Sequence, residues 1–352
     1  MRAGIGSRPW AGLDVGSFSV KLLATQGGMG ASRFRCAEAL LPPRSDGDDS
    51  PRPPEEVAAA ISECITQLDL SPRSFRGFTV GISGSDVIVK QISLPLMDDS
   101  EVGPALRFEA RKHLPFDPQA MVIDYQVLGR YLSDRKVDVL LAAVSREHLE
   151  RHLAPLALLD ASVDIVDAAP LALTNAVAQG VGLDRTGALL LDIGHAASHL
   201  TLHQRGEPYF SRRLDFGGRD LTRAIARGIQ VPFEEAEEWK LAAGSEQSGL
   251  RVDWDGREMR AVLRCLQEQL VEELRRSLAF YSTLGHLPDT LRLQVSGGTA
   301  RLPGIAERLG EMLGFVVTVF DPLEAVVGGA HAHGRPAGPQ FAQAFGLALR
   351  TA

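Results

Sequence analysis

The amino-acid sequence predicts an α/β protein built from two related halves. A short apolar strand that runs into Asp-x-Gly occurs twice, at 13–16 and at 191–194. A third apolar strand, at 291–295, leads into Gly297 and Gly298. A glycine turn lets backbone N–H groups approach a ligand closely, and an adjacent carboxylate can hold a hydrated cation. The repeat therefore indicates two loops that face one metal-bound phosphate.

Composition places the chain among ordinary water-soluble proteins with room for two domains. It has 352 residues, of which 45% are hydrophobic and 23% charged. No run approaches the roughly 18 to 20 apolar residues that a membrane span needs, and the N-terminus lacks the apolar segment of a signal peptide. We therefore expect a cytoplasmic protein whose contact with a membrane, if any, comes through a partner or a surface.

Charge and cysteine content exclude two further classes of function. The net charge of -7, with no concentrated basic segment, argues against nucleic acid as a partner. Cys36, Cys64 and Cys265 are odd in number and widely separated. Neither a disulfide framework nor a cysteine zinc site is expected.

The first half predicts a meander of three strands at 11–39. A loop at 41–54, rich in Pro, Asp and Ser, and a helix at 55–68 follow. A P-loop or a dinucleotide site would need a helix directly after the glycines of the first hairpin. No helix is predicted at that point, so both of these sites are excluded.

An insert of about sixty residues is predicted within the first half. It begins with a strand pair at 75–94, folded at Ser83 and Gly84. A helix follows, capped by Asp99 or Ser100. Two more strands complete the insert, at 122–128 and 137–144.

The second half repeats the opening strands and then becomes helical. Apolar residues at helical spacing from Met259 to Tyr281 predict the longest amphipathic helix. The other predicted elements are helices at 147–159, 221–228, 232–242, 303–313 and 340–349 and strands at 163–166, 188–192, 199–203, 208–214 and 316–320.

The order of these motifs resembles that of the actin, Hsp70 and sugar-kinase superfamily. Residues 14–21 are similar to its first phosphate loop, 192–198 to its second, and 295–304 to its adenosine motif. The resemblance implies an actin-like ATPase fold, with duplicated ribonuclease-H-like halves around a nucleotide cleft.

Segments outside the phosphate loops resemble the PilM family of type IV pilus assembly, which is related to the cell-division protein FtsA. These segments are 106–116, 138–144, 233–240 and 345–350. The resemblance implies that the insert is an FtsA-type 1C subdomain. It also implies subdomain 1A at 10–83 plus 142–187, 1C at 84–141, 2A at 188–216 plus 289–352 and 2B at 217–288.

The resemblance further implies roles for single residues. Asp14 and Asp192 would hold Mg²⁺ through water, Lys21 would meet a phosphate oxygen, and Glu237 and Lys240 would lie near the ribose. Carboxylates let Mg²⁺ keep several waters, and lysine supplies a point charge. The full predicted set for ATP or ADP is Asp14, Gly16, Ser17, Ser19, Lys21, Asp192, Gly194, Ser198, Gly217, Gly218, Glu237, Lys240, Gly297, Gly298 and Thr299.

The second phosphate loop departs from the FtsA pattern. Ala196 and Ala197 occupy positions where FtsA-like proteins usually have hydroxyl residues. Ser198 is the one hydroxyl residue left in this loop. One lost hydrogen bond to phosphate is worth about 0.5 to 1.5 kcal/mol, so binding can rest on backbone amides. Hydrolysis also needs a group that orients water, and Asp167 is the only carboxylate in 166–173. Asp167 is therefore either catalytic or a turn residue, and ATP hydrolysis is expected to be slow or absent.

Several histidines suggest a metal, but their predicted structure argues against one. His195, His199 and His203 are four residues apart, the spacing of ligands on a helix face. The sequence there predicts strand, turn and strand, which separates His195 from the other two. His331 and His333 lie in a glycine-rich loop and are expected to face solvent.

The resemblance implies an ATP-binding scaffold of the pilus assembly platform, peripheral to the inner membrane. It would bind the cytoplasmic N-terminal segment of a PilN-like membrane protein in a groove between the insert and the first core subdomain. Two alternatives stay open: a small-molecule kinase of the superfamily, and a GspL-like scaffold without nucleotide. A kinase would need a clear catalytic carboxylate, and intact Asp14, Lys21 and Asp192 count against loss of the nucleotide.

Overall fold

The computed structural model describes the greater part of the chain. No helix in the described part is long and apolar enough to cross a membrane. Phe116, His331 and His333 lie outside the described residues. The residues described are 8–26, 33–48, 50–114, 117–180, 188–204, 207–245, 248–283, 291–327 and 338–350.

Strands and helices alternate along the chain as expected for an α/β protein. The strands are β1 (Trp10–Val15), β2 (Ser19–Gln26), β3 (Arg33–Leu40), β4 (Gly77–Ile82), β5 (Ile88–Pro95), β6 (Met121–Tyr131), β7 (Lys136–Ser145), β8 (Val163–Ala168), β9 (Ala188–Ile193), β10 (Ser198–Gln204), β11 (Glu207–Leu214), β12 (Arg292–Ser296) and β13 (Val316–Val319). The α-helices are α1 (Pro54–Gln67), α2 (Asp99–His113), α3 (Arg146–Leu158), α4 (Ala169–Gly180), α5 (Gly218–Ile229), α6 (Phe233–Ala243), α7 (Arg257–Cys265), α8 (Glu272–Thr283), α9 (Ile305–Leu313), α10 (Pro322–Val327) and α11 (Ala342–Leu349).

The first sheet has the strand order β3-β2-β1-β4-β8. Strand β1 pairs antiparallel with β2, which places Asp14 opposite Lys21, and parallel with β4. The predicted meander is confirmed, and no α-helix begins at the turn between β1 and β2. Helix α1 packs on this sheet through Ile61, next to the buried Leu13 and Leu22.

The second sheet has the order β13-β12-β9-β10-β11-β5-β7-β6. Strands β9, β10 and β11 form a second antiparallel meander. Strand β12 runs parallel to β9 and sets Ser296 opposite Asp192. The two meanders, each beginning with an Asp-x-Gly strand, confirm the duplication that the sequence indicates.

Two predictions about the insert were wrong in detail. The strand pair at 75–94 does not exist, because β4 lies between β1 and β8 while β5 lies between β11 and β7. Every residue of β4 is buried, as suits a central strand with parallel neighbours on both sides. The cap of α2 is Asp98, whose backbone N–H donates to Glu101, and not Asp99 or Ser100.

The amphipathic faces of the helices match the predicted ones. Val102, Leu106 and Ala110 of α2 are buried against the strands of the insert. The predicted long helix is continuous from α7 to α8, through a π-helical turn at Leu266–Val271. Its apolar face fills the core of the second half.

Helices α4 and α11 join the two halves. Leu173 of α4 and Phe345 of α11 share one buried cluster with Leu23 of the first sheet and Leu190 of the second. The approach is so close that a side chain at Gly346 would meet the carbonyl oxygen of Ala172 at 1.7 Å. Small residues in α11 therefore bring both sheets against one pair of helices.

Candidate functional site

A cleft of about 290 Å³ lies between the turn of β1 and β2 and the turn of β9 and β10. Most of the residues that the sequence predicts for a nucleotide site line it. These are Asp14, Gly16, Ser17, Ser19, Lys21, Asp192, Gly194, Gly218, Glu237, Lys240, Gly297, Gly298 and Thr299.

The first hairpin presents a lysine and a carboxylate side by side. The backbone N–H of Gly16 donates to the carbonyl of Ser19 at 3.1 Å and closes the turn. The Nζ of Lys21 lies 3.6 Å from Oδ2 of Asp14, because the two residues are opposite one another in the ladder. The hydroxyl of Ser19 donates to Oε1 of Glu38 at 2.7 Å. Lys21 is therefore held at the cleft as a fixed positive charge.

The second hairpin presents a carboxylate among neutral donors. The backbone N–H of Gly194 donates to the carbonyl of Ala197 at 3.1 Å. Asp192 is 8% exposed and accepts hydrogen bonds from Ser296 Oγ at 3.0 Å and Gln343 Nε2 at 2.8 Å. Burial raises the pKa of Asp192 to about 6, and the nearby Asp14 carboxylate adds to this rise.

The donor set fits a hydrated divalent cation. Two carboxylates interact unfavourably across the cleft, and a cation between them would relieve both the repulsion and the burial of charge. The described residues contain no group of three or more His, Cys, Asp or Glu side chains that could hold a metal ion directly. Mg²⁺ retains several waters and needs only one or two carboxylates, so it suits this arrangement.

Two segments of the second half converge on the carbonyl of Gly194, and a third supports one of them. It accepts hydrogen bonds from the backbone N–H of Gly218 at 2.8 Å and from Thr299 Oγ1 at 3.2 Å. The Nζ of Lys240 donates to the Gly218 carbonyl at 2.9 Å and to Oε2 of Glu237 at 2.8 Å. These contacts fix the second hairpin against the first turn of α5, which Lys240 of α6 supports in turn.

The pair of Glu237 and Lys240 at the cleft includes one acceptor atom without a partner. The Oε1 atom of Glu237 is buried and has no hydrogen-bond partner among the described residues. Burial lowers the pKa of Lys240, although the neighbouring Glu237 counteracts this. A buried acceptor without a partner is costly, so a donor from a bound molecule would stabilise this corner of the cleft.

The double-glycine turn provides open backbone at the other wall. Gly297 has φ +90°, and a side chain there would meet the carbonyl oxygen of Ile193 at 2.5 Å. A Cβ added to Gly298 would meet no atom within 4 Å. The first glycine is required by the turn, and the second leaves space for a flat group to approach the backbone.

Three predicted residues do not line the cleft. Ser198 is fully buried and donates its hydroxyl to the carbonyl of Phe216 at 2.7 Å. Gly217 lies behind the second hairpin, where a side chain would meet the carbonyl of His195. Asp167 lies outside the lining of the cleft, and its Oδ2 is 3.4 Å from Nη1 of Arg350. Burial raises the pKa of Asp167, which Arg350 partly offsets.

His195, His199 and His203 are neutral packing residues. Burial lowers the pKa of His195, His199 and His203 to about 4 each. Nε2 of His203 lies 3.0 Å from the hydroxyl of Thr174 on α4. Only His195 and His199 line the cleft, and His203 lies behind it.

Sequence reasoning missed the residues that hold Asp192 and Ser19. Ser296 is the last residue of β12, and the parallel register of β12 with β9 brings it to Asp192. Gln343 comes from α11, and Glu38 from β3. The end of a strand before a double glycine was a signal for Ser296, whereas nothing local identifies Gln343.

Fold and site together define a class. Two sheets with matching Asp-x-Gly hairpins, joined by α4 and α11 and facing one cleft, make this an α/β protein of the actin-like ATPase fold. A family model described as "Type IV pilus assembly protein PilM" matches residues 12–352. The chain therefore belongs to the PilM family of type IV pilus assembly proteins.

The chain is similar to several solved structures and curated relatives. The structure titled "PilM-PilN type IV pilus biogenesis complex" is 29% identical, with a TM-score of 0.78, over 96% of this chain and 97% of that chain. The ethanolamine utilization protein EutJ of Carboxydothermus hydrogenoformans shares the fold at 16% identity and a TM-score of 0.55, over 96% of this chain and 88% of its own. The cell division protein FtsA of Staphylococcus epidermidis is 27% identical over 149 residues, which are 39% of this chain. The match spans only 32% of FtsA.

Proposed function

We propose that the chain is a nucleotide-binding scaffold of type IV pilus assembly that binds the cytoplasmic N-terminal segment of a PilN-like inner-membrane protein. The observation that carries this proposal is the likeness, over 96% of the chain, to a structure of PilM with PilN. Such a partner would hold the protein at the inner membrane from the cytoplasmic side. We also propose the division into subdomains 1A, 1C, 2A and 2B with the boundaries given above.

The nucleotide would be ATP or ADP with Mg²⁺, bound between the two hairpins. Asp14 and Asp192 would hold the cation through water, and the cation would neutralise phosphate charge. Lys21 supplies a positive charge to a phosphate oxygen, while the amides of the two turns face the phosphates. Glu237, whose Oε1 atom is buried without a partner, would accept from a ribose hydroxyl.

We propose that this cleft binds nucleotide more readily than it hydrolyses it. Asp167, the one sequence candidate for orienting water, is paired with Arg350 and does not line the cleft. Among the described lining residues, Glu38 accepts from Ser19 and Glu237 pairs with Lys240. Glu38 is thus engaged with the first hairpin, and Glu237 is assigned above to a ribose hydroxyl, so neither is proposed as a general base, which also counts against a kinase.

The outer face of α2 is the proposed contact for the partner. Phe108 is 68% exposed, an unusual position for a large apolar side chain. Arg107, Arg111 and Lys112 on the same helix are also exposed. An exposed aromatic side chain with basic residues on the same helix suits a short peptide that has apolar residues and nearby carboxylates or free carbonyls.

Titration with ATP tests the nucleotide site. Changing both Asp14→Ala and Asp192→Ala should remove Mg²⁺-dependent binding, a loss of about 100-fold or more if both outer ligands of the cation act together. Asp48→Ala is the matched control, because Asp48 lies in the loop before α1 and does not line the cleft. Unchanged affinity in the double variant, with the fold intact by circular dichroism, would remove the assignment.

Binding of a PilN-type N-terminal peptide tests the partner. Phe108→Ala should weaken binding about tenfold or more, as loss of a central apolar anchor does. Leu132→Ala is the control, since Leu132 is 77% exposed and lies in the turn between β6 and β7. Equal affinity of the two variants would place the peptide elsewhere, and no binding to the unmodified protein would contradict the scaffold proposal.

A further inference from the structure

The segment 41–48 between β3 and α1, here called the strap, is fastened to the first hairpin at its base. The backbone N–H of Leu41 donates to the carbonyl of Phe18 at 2.9 Å. Just beyond the strap, Arg52 donates to the carbonyl of Ser17 at 3.2 Å and back to that of Pro42 at 3.0 Å. Any shift of the first hairpin is therefore transmitted to the strap through three hydrogen bonds.

The far end of the strap reaches the second half of the molecule. Oδ1 of Asp46 accepts from Nε of Arg223 on α5 at 2.6 Å. Arg223 also binds Oδ1 of Asp220 at 3.2 Å, and Oδ2 of Asp220 accepts from the backbone N–H of Gly217 at 2.9 Å. Polar contacts at both ends of the strap, linked by its backbone, thus join the first hairpin to the start of α5, which supports the second.

A second cavity of about 730 Å³ lies under the strap and adjoins the nucleotide cleft. Gly16, His195 and Glu237 line both spaces. The strap forms one wall of this outer cavity through Pro42 and Arg44, with α3 and α6 opposite. The strap consequently spans the opening on the phosphate side of the cleft.

We propose that the ion pair between Asp46 and Arg223 holds the strap across the cleft and slows the release of nucleotide. This rests on the proposed nucleotide site. The pair is partly shielded, with side-chain exposures of 38% for Asp46 and 27% for Arg223. Arg44 and Asp48 form a separate pair inside the strap, which does not reach the second half. The Asp46–Arg223 pair is thus a contact between the strap and the second half that is sensitive to salt.

Displacement of a fluorescent ATP analogue by excess ATP tests the proposal. Asp46→Asn and Arg223→Gln should each speed dissociation about two- to fivefold, the range of a partly exposed pair. The double variant should dissociate no faster than either single one, because both remove the same interaction. Asp48→Asn is the control and should match the unmodified protein. Unchanged rates in Asp46→Asn, or additive effects in the double variant, would overturn the proposal.

Cleavage by trypsin after Arg44 provides a readout that does not depend on nucleotide. Release of the strap should expose this bond, so Arg223→Gln should be cut faster there, although the substitution lies on α5. Equal cleavage with an equal melting temperature would refute the strap contact. If the unmodified protein bound no nucleotide, the proposed nucleotide site would fail, and slowed release would fail with it. Faster cleavage would then still establish the contact between the halves.

Discussion

The two Asp-x-Gly hairpins have the same turn and different electrostatics. In each, the glycine N–H donates to a carbonyl three residues on, at 3.1 Å. Asp14 lies 3.6 Å from a lysine, whereas Asp192 is held by a serine hydroxyl and a glutamine amide. The first hairpin carries its own countercharge, whereas the described contacts of the second carboxylate are with neutral groups. Duplication has preserved the turn while burial has changed what the turn can bind.

The largest expected effect concerns how much the buried, ionised carboxylate of Asp192 lowers the free energy of unfolding. Its pKa is about 6 in the folded protein and 3.8 ordinarily, so the fold favours the protonated form. As Asp192 ionises, the free energy of unfolding begins to fall near pH 4, and the fall is complete above pH 6. The loss amounts to about 1 to 3 kcal/mol. Asp192→Asn should therefore be more stable than the unmodified protein in urea unfolding at pH 7.5 without Mg²⁺, and the gain should shrink below pH 6.

Asp14→Asn supplies the comparison for that experiment. It removes one partner of the ion pair with Lys21 and should bring no gain in stability at pH 7.5. Adding Mg²⁺ should stabilise the unmodified protein and leave Asp192→Asn unchanged. Equal gains from both substitutions would show that the two hairpins do not differ in the way described.

Acid should weaken the second half through its histidines. His195, His199 and His203 have a pKa of about 4 when folded and 6.5 ordinarily, so the folded state binds fewer protons. Their contribution to stability is complete above pH 6.5 and is lost as the pH falls to 4, by about 1 to 2 kcal/mol for each histidine at pH 5. Strand β2, the counterpart of β10, carries no histidine.

A substitution separates this acid effect from general charge repulsion. His203→Gln keeps a polar group beside Thr174 and removes one titrating site. The loss of unfolding free energy between pH 7 and pH 5 should be smaller in this variant than in the unmodified protein. An identical loss would mean that other groups cause the acid sensitivity.

The smallest expected effect concerns the hydroxyls missing from the second hairpin. Ala196→Ser together with Ala197→Ser should tighten ATP binding about two- to tenfold, the value of one added hydrogen bond. Ser198→Ala should leave affinity unchanged and lower stability by about 1 kcal/mol, since its hydroxyl bonds the Phe216 carbonyl. Calorimetric titration and urea unfolding measure the two. A loss of affinity in Ser198→Ala would place that hydroxyl in the site after all.

Elements that depend on local pattern were predictable from the sequence. The antiparallel register that sets Lys21 opposite Asp14 follows from a tight turn between two strands. The buried face of α2 follows from apolar residues four apart, as in Val102 and Leu106. For the same reason, the two glycines after β12 identified a turn at the cleft.

Features that depend on distant partners were not predictable. Alternating apolar residues in β4 and β5 identify strands but do not specify which neighbours they pair with, so the two were wrongly joined. Asp167 lies beside Arg350, a residue after the last helix, and does not line the cleft. Helix α4 is buried on most of its surface and lacks the polar stripe that makes a helix recognisable.

The join between β5 and β11 has a mechanical consequence. Among the described residues it consists of one register pair, Lys90 with Phe210, whereas β5 and β7 are paired along their whole length. A sheet resists bending because its strands share consecutive hydrogen bonds. The contact between β5 and β11 is therefore the most flexible part of the eight-stranded sheet. A force applied to the insert by a bound partner would act mainly on this contact. It would separate β5 from β11 before it bent any strand. The second Asp-x-Gly hairpin joins β9 and β10, two strands away from β5 and on the more rigid side of this contact.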